Sequence, residues 1–77
     1  MPTRQDLSDF GTAFRQRRRL LELSQAHVAR AAGVCGPTVS RIEYGLRPTH
    51  VQAERLAAAV GMTLDALLEA TKGGPHQ

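Results

Sequence analysis

At 77 residues, 42% hydrophobic and 22% charged, the chain is long enough for one ordinary globular domain and too short for two. No apolar run nears the roughly 20 residues of a bilayer span, a secretory leader is not expected because no basic patch is followed by an apolar stretch, and the lone Cys35 cannot form an internal disulfide, so a cytoplasmic setting is expected. The net charge is +3 but uneven, with eight basic and four acidic side chains in residues 1–47 against two and three in residues 48–77. A basic front suggests a polyanionic partner, although the arginine bias of a high-GC genome gives the same count without any function.

Helical periodicity is strong, and no segment alternates in the manner of a strand. Leu7, Phe10, Phe14, Arg17 and Leu21 form one stripe of a first helix that starts near Ser8 or Asp9. Arg17 suits that stripe only if its alkyl stem packs and its guanidinium reaches the edge or a carboxylate. Ser24 caps a second helix, with Leu23 and Val28 placed for a hydrophobic staple; it runs to Ala32 and stops at Gly33. For the third helix Gly36 is the expected N-cap and Pro37 the first helical residue, because a proline there loses no helical hydrogen bond. That helix ends near Tyr44 and Gly45. After the connector Leu46-Arg47-Pro48, Thr49 caps a fourth helix carrying Val51, Leu56, Ala57 and Val60 and closed by Gly61. Thr63 caps a fifth, with Leu64, Leu67 and Leu68, and with Asp65 in its first turn, where the helix dipole favours negative charge. The expected architecture is all-α, a compact five-helix bundle. Residues 1–8 form an N-terminal arm, 9–71 the folded domain and 72–77 a frayed tail.

The informative stretch is Gln25 to Gly45. Two short helices joined by a tight turn cross steeply, so the first needs a small residue at the crossing, Ala29, and the turn a residue tolerant of positive φ, Gly33. Val28, Ala32, Val34, Val39 and Ile42 are expected to face inward and lock the pair. Around this core stand Arg17-Arg18, Leu-Ser-Gln (23–25), Val-Ala (28–29), Ala-Gly-Val (32–34) and Thr-Val-Ser-Arg-Ile-Glu-Tyr-Gly (38–45). With Ala-Val-Gly-Met-Thr-Leu-Asp-Ala-Leu-Leu (59–68) they resemble the phage repressor and Cro-like helix-turn-helix domains, often called the XRE family. The resemblance spans about residues 9–69. It implies a lambda repressor-like fold, a third helix that enters the DNA major groove, and a homodimer on a near-palindromic operator. The implied function is sequence-specific binding of double-stranded DNA by a transcriptional regulator, chiefly a repressor, with no catalysis and no cofactor.

Carried over by position, Gln25 is the residue that grips a phosphate at the start of the second helix. The base-reading positions fall on Gly36, Pro37, Thr38 and Arg41. Arg18 and Glu43 match an internal ion pair that ties the first helix to the third. Arg47 is placed for a phosphate, and Ser24 and Ser40 join the phosphate set. Gly36 and Pro37 depart from the polar residues of relatives and bring no side-chain donor to base edges. Direct readout then rests on Arg41, which can bind guanine bidentately, and on Thr38 or Pro37 against a thymine methyl, with DNA shape supplying the rest. His27 replaces the usual capping-box glutamate. Glu22 replaces the glycine common before Leu-Ser-Gln, which tightens the backbone demands of the first turn, and the loop after Gly45 is slightly shorter than expected.

Helical spacing spreads Arg15, Arg17, Arg18 and Arg19 around most of a turn, so they cannot all face DNA, and Arg18 is the one expected inside. Cys35 lies just before the third helix, where a thiolate and a redox switch are chemically open, against the plainer reading of a small semi-buried or N-capping residue. His27, His50 and His76 lack metal-ligand spacing with one another or with Cys35. No phosphate loop or acid–base carboxylate pair is present, and Ser24 and Ser40 have no reason to be nucleophiles, so an enzyme is not expected. Leu67 and its apolar neighbours suit either a dimer seam or the closure of the core. Two function classes therefore stand. One is a DNA-binding regulator: a Cro-like repressor, an antitoxin-type autoregulator or a domain of a longer protein. The other is a protein-interaction module that docks a toxin, sigma factor or anti-activator, and the reduced readout surface at Gly36-Pro37 speaks for it.

Overall fold

The computed structural model describes residue 7 and residues 9–72, with side chains described as far as residue 69. Five helices follow one another: α1 (Phe10–Leu20), α2 (Gln25–Ala32), α3 (Gly36–Glu43), α4 (His50–Ala59) and α5 (Leu64–Lys72), with no strand among the described residues. The all-α bundle is therefore as the sequence pattern expects. None of these helices is long and apolar enough to cross a membrane.

The helix starts follow from short polar side chains. Ser24 Oγ accepts from the His27 N–H at 2.9 Å, and Thr63 Oγ1 from the Ala66 N–H at 3.1 Å. Thr49 and Gln52 exchange hydrogen bonds at 3.0 Å each, a complete capping box. Asp9 precedes α1, in keeping with the expected start near Ser8 or Asp9, though without a side-chain capping bond; Leu7 before it is buried, its carbonyl accepting from the Phe10 N–H. Residues 1–6, 8 and 73–77, which include most of the expected arm, the tail and His76, lie outside the described residues. In α3 the N-cap is Cys35 rather than Gly36; Gly36 is the first helical residue and Pro37 the second. Both positions lie in the first turn, where no N–H has a helical acceptor, so the proline is tolerated at either.

The helix ends share one geometry. The Glu22 N–H donates to the Arg19 carbonyl and the Leu23 N–H to the Arg18 carbonyl, both at 3.0 Å, the paired bonds of a Schellman ending. The same pairing closes α2, α3 and α4, with a glycine in the left-handed slot each time, whereas α1 places Glu22 there at φ 59°. A β-carbon in that conformation costs about 1–2 kcal/mol, partly offset because glycine loses more freedom on folding. Glu22→Gly is expected to stabilise the fold by about 0.5 kcal/mol and raise Tm by roughly 2–4 °C. An unchanged or lower melting temperature by circular dichroism would show that Glu22 carries no strain.

Phe10 and Phe14 stack with ring centroids 5.7 Å apart and, with Val28, Val39, Ile42 and Leu56, form the centre of the core. Val34 packs half-buried at its edge, while Leu21 and Val51 are exposed. Arg17 is half-buried, and its Nε is buried without a hydrogen-bond partner among the described residues. Leu67 is only 1% exposed and closes the core from α5. Of the two roles left open for Leu67, closure of the core is the one its burial shows. Where α1 crosses α3, Gly11 lies so close that a β-carbon would sit 2.0 Å from the Ile42 carbonyl oxygen.

Candidate nucleic-acid interface

The side chains of α3 divide by helical spacing. Val39, Ile42 and Glu43 are buried, whereas Pro37, Arg41 and Tyr44 stand exposed at i, i+4 and i+7. Gly36, Thr38 and Ser40 flank that outer stripe and are half-buried. An α-helix with its side chains is about 10–12 Å across, which matches the roughly 12 Å width of the DNA major groove. Arg41 makes no hydrogen bond or ion pair to any described residue, and neither do the hydroxyls of Thr38 and Ser40 or the exposed Arg47 beyond the helix. The outer face of α3 thus carries a cation flanked by hydroxyls, none of them with a partner among the described residues.

A buried carboxylate fixes the frame behind this face. Glu43 accepts from Arg18 Nε at 2.6 Å and from Nη2 at 3.0 Å, while Arg18 Nη1 donates to the Leu23 carbonyl at 2.7 Å. Side-chain exposure is 1% for Glu43 and 14% for Arg18. The hydrogen bond to Glu43 holds the Arg18 pKa above its ordinary value, outweighing the opposite effect of burial. Arg18 therefore spends three of its five donors inside the protein. Gln25 Nε2 also donates to Glu43 Oε1, at 3.0 Å, so the first residue of α2 joins the same network. Its amide keeps a second N–H and a carbonyl oxygen for an outside partner. Ser24 is exposed beside it and, although its oxygen caps α2, its hydroxyl proton remains to be donated.

Sequence reasoning overlooked two residues near this surface. Tyr44 is 75% exposed, and the Arg15 guanidinium lies 5.7 Å from its ring centroid, a cation–π contact between α1 and the end of α3. Extending the Pro37–Arg41 stripe by three residues would have found it. Arg55, from α4, brings Nη1 to 3.7 Å from where a β-carbon of Gly33 would lie, a cation over the turn of the helix pair that no local pattern announces. Cys35 is exposed next to Gly36. His50 Nε2 lies 3.1 Å from Glu54 on α4; among the described residues no three His, Cys, Asp or Glu side chains converge as metal ligands do.

Residues 9–70 match a protein family described as a helix-turn-helix domain. Among solved structures the chain is similar to the restriction-modification controller protein C.AhdI from Aeromonas hydrophila. The identity is 30% and the TM-score 0.73, over 80% of this chain and 96% of that one. It is also similar to Fe(II)-HppE, crystallised with the alternative substrate (S)-1-HPP, at 27% identity and a TM-score of 0.68. That match takes in 84% of this chain but only 34% of HppE, so the likeness is to about a third of that protein. No curated protein sequence matches the chain.

Proposed function

The chain belongs to the helix-turn-helix domain family, which makes it a DNA-binding regulator, and we propose that it represses transcription as a homodimer on a near-palindromic operator. The observation that carries this reading is Arg41, exposed on the outer face of α3 and without any partner among the described residues. A guanidinium in that position suits the paired N7 and O6 acceptors of guanine. Thr38, Pro37 and Gly36 would lie along the base edges beside it. Gln25, Ser24, Ser40 and Arg47 supply donors for phosphates, and the Tyr44 hydroxyl adds one more. Repression would be steric, a bound dimer denying polymerase the promoter, in the cytoplasm and with no cofactor or catalysis. That C.AhdI is a controller protein of similar size supports a regulatory role for a domain like this one.

Selection of bound sequences from a random duplex pool tests the proposal. The expected product is a twofold site whose half-sites are centred about 34 Å apart, one helical turn of DNA. Binding should fall log-linearly with salt, with a slope of about −0.9 per phosphate neutralised. Arg41→Ala is expected to lose about 1–3 kcal/mol of discrimination at one base pair per half-site. Equal weakening on every sequence would instead assign Arg41 to a phosphate. The exposed Leu20, Leu46 and Val51 favour a second reading, in which the same fold docks a protein such as a toxin or sigma factor. Weak, sequence-blind DNA affinity at physiological salt would support that reading over the first.

A further inference from the structure

Resting on the DNA-binding reading of α3, we infer that Arg15 of α1 is a further phosphate-binding residue and that Tyr44 is its mount. The two side chains come from different helices, and the Arg15 guanidinium lies 5.7 Å from the centroid of the Tyr44 ring. Arg15 is half-buried yet makes no hydrogen bond or ion pair to any described residue, while Tyr44 stands exposed at the end of the outer stripe. Arg18, one turn further along α1, differs: Glu43 neutralises its charge, and three of its donors are taken inside the protein. An aromatic ring attracts a cation through its face, so it holds the guanidinium without cancelling the charge or occupying the N–H groups at its edge. A carboxylate in the same place would do both. The outcome is an oriented, uncompensated cation whose fork of donors matches a phosphate.

Its position also points to backbone rather than base. Beyond Arg41, α3 has passed its reading residues, and what walls the groove is sugar and phosphate. The helix dipole is at its negative end there, and the Tyr44, Gly45 and Leu46 N–H groups already donate to carbonyls of α3. Main chain therefore offers an anion nothing at this end, and a side-chain cation has to supply the attraction. Gln25 bonds to Glu43, the residue before Tyr44, so the Arg15 contact lies close to the one proposed for Gln25.

The test uses the full chain and the duplex selected from the random pool, with binding measured between about 50 and 200 mM salt. Over that fourfold rise, one neutralised phosphate accounts for about a 3.5-fold loss of affinity. Arg15→Gln should therefore lose about 3.5-fold less than the parent per half-site, with its base preference unchanged. Methylphosphonates, which remove the charge of one phosphate at a time, locate the contact: at one position per half-site the parent should weaken and Arg15→Gln should not. Tyr44→Phe keeps the ring and should retain that response, whereas Tyr44→Ala should blunt it. Tyr44→Ala should also cost less affinity when Arg15→Gln is already present. All the variants should melt close to the parent, because neither side chain belongs to the core. A salt response unchanged in Arg15→Gln, or a phosphate pattern identical to the parent's, overturns the inference and leaves the DNA-binding reading standing. Equal effects of Tyr44→Phe and Tyr44→Ala overturn the role of the ring as mount. A parent that shows no salt-dependent duplex binding overturns both readings.

Discussion

Replacing Gly11 with alanine is expected to cost about 3 kcal/mol or more, at or beyond the upper end of ordinary overpacking. The added methyl would lie 2.0 Å from the Ile42 carbonyl oxygen, a main-chain atom that no side-chain rotation can move away. Relief requires α1 and α3 to part, and both helices contribute to the same core. A domain of this size has a total stability of roughly 4–12 kcal/mol, so the substitution removes a large share of it, lowering Tm by roughly 12 °C or more. Thermal unfolding followed by circular dichroism reads the effect, with Gly36→Ala as the control in which the β-carbon meets nothing. A Gly11→Ala variant that melts within a couple of degrees of the parent would mean that the helix crossing is looser than described.

The second large effect is expected at the buried ion pair. Arg18→Met should cost about 3–5 kcal/mol at neutral pH, because it leaves the Glu43 carboxylate buried without its cation. Only the Gln25 amide would still donate to it. A double variant, Arg18→Met with Glu43→Met, should regain much of the loss, since two apolar side chains leave no buried charge. Urea unfolding at neutral pH measures both. A single variant that loses under about 1 kcal/mol would demote the pair to a surface ornament.

Much of the fold is readable from local chemistry. Ser24, Thr49 and Thr63 announce helix starts because a short side-chain oxygen is the natural partner for a free N–H, and Gly33 and Gly61 announce ends because left-handed backbone favours glycine. What stayed hidden depends on neighbours far along the chain. Gly11 reads as a weak spot in a helix until Ile42, 31 positions later, is seen lying against it. The start of α3 was displaced because a glycine and a proline fit either of two adjacent registers there. Leu67 sits at a spacing that suits a core or a dimer seam equally, and only its burial decides. The hydrogen bond from Gln25 to Glu43 spans 18 positions and carries no sequence signature. At the outer face, Pro37 and Arg41 were named by the family resemblance, but Tyr44 and its Arg15 partner were not, since a cation–π contact needs two helices in place.

The meeting of Arg18, the Leu23 carbonyl, Gln25 and Glu43 at one point also bears on how this small protein opens. Detaching α3 alone would break every bond to Glu43 at once and uncover the core behind Val39 and Ile42, so α3 is expected to open together with its neighbours. Amide protons in the middle of α3 should then exchange with solvent deuterium at the rate of those in the C-terminal half of α1, as one cooperative unit. The reading helix would reach its target as a rigid body already in shape, with little ordering left to be done on contact.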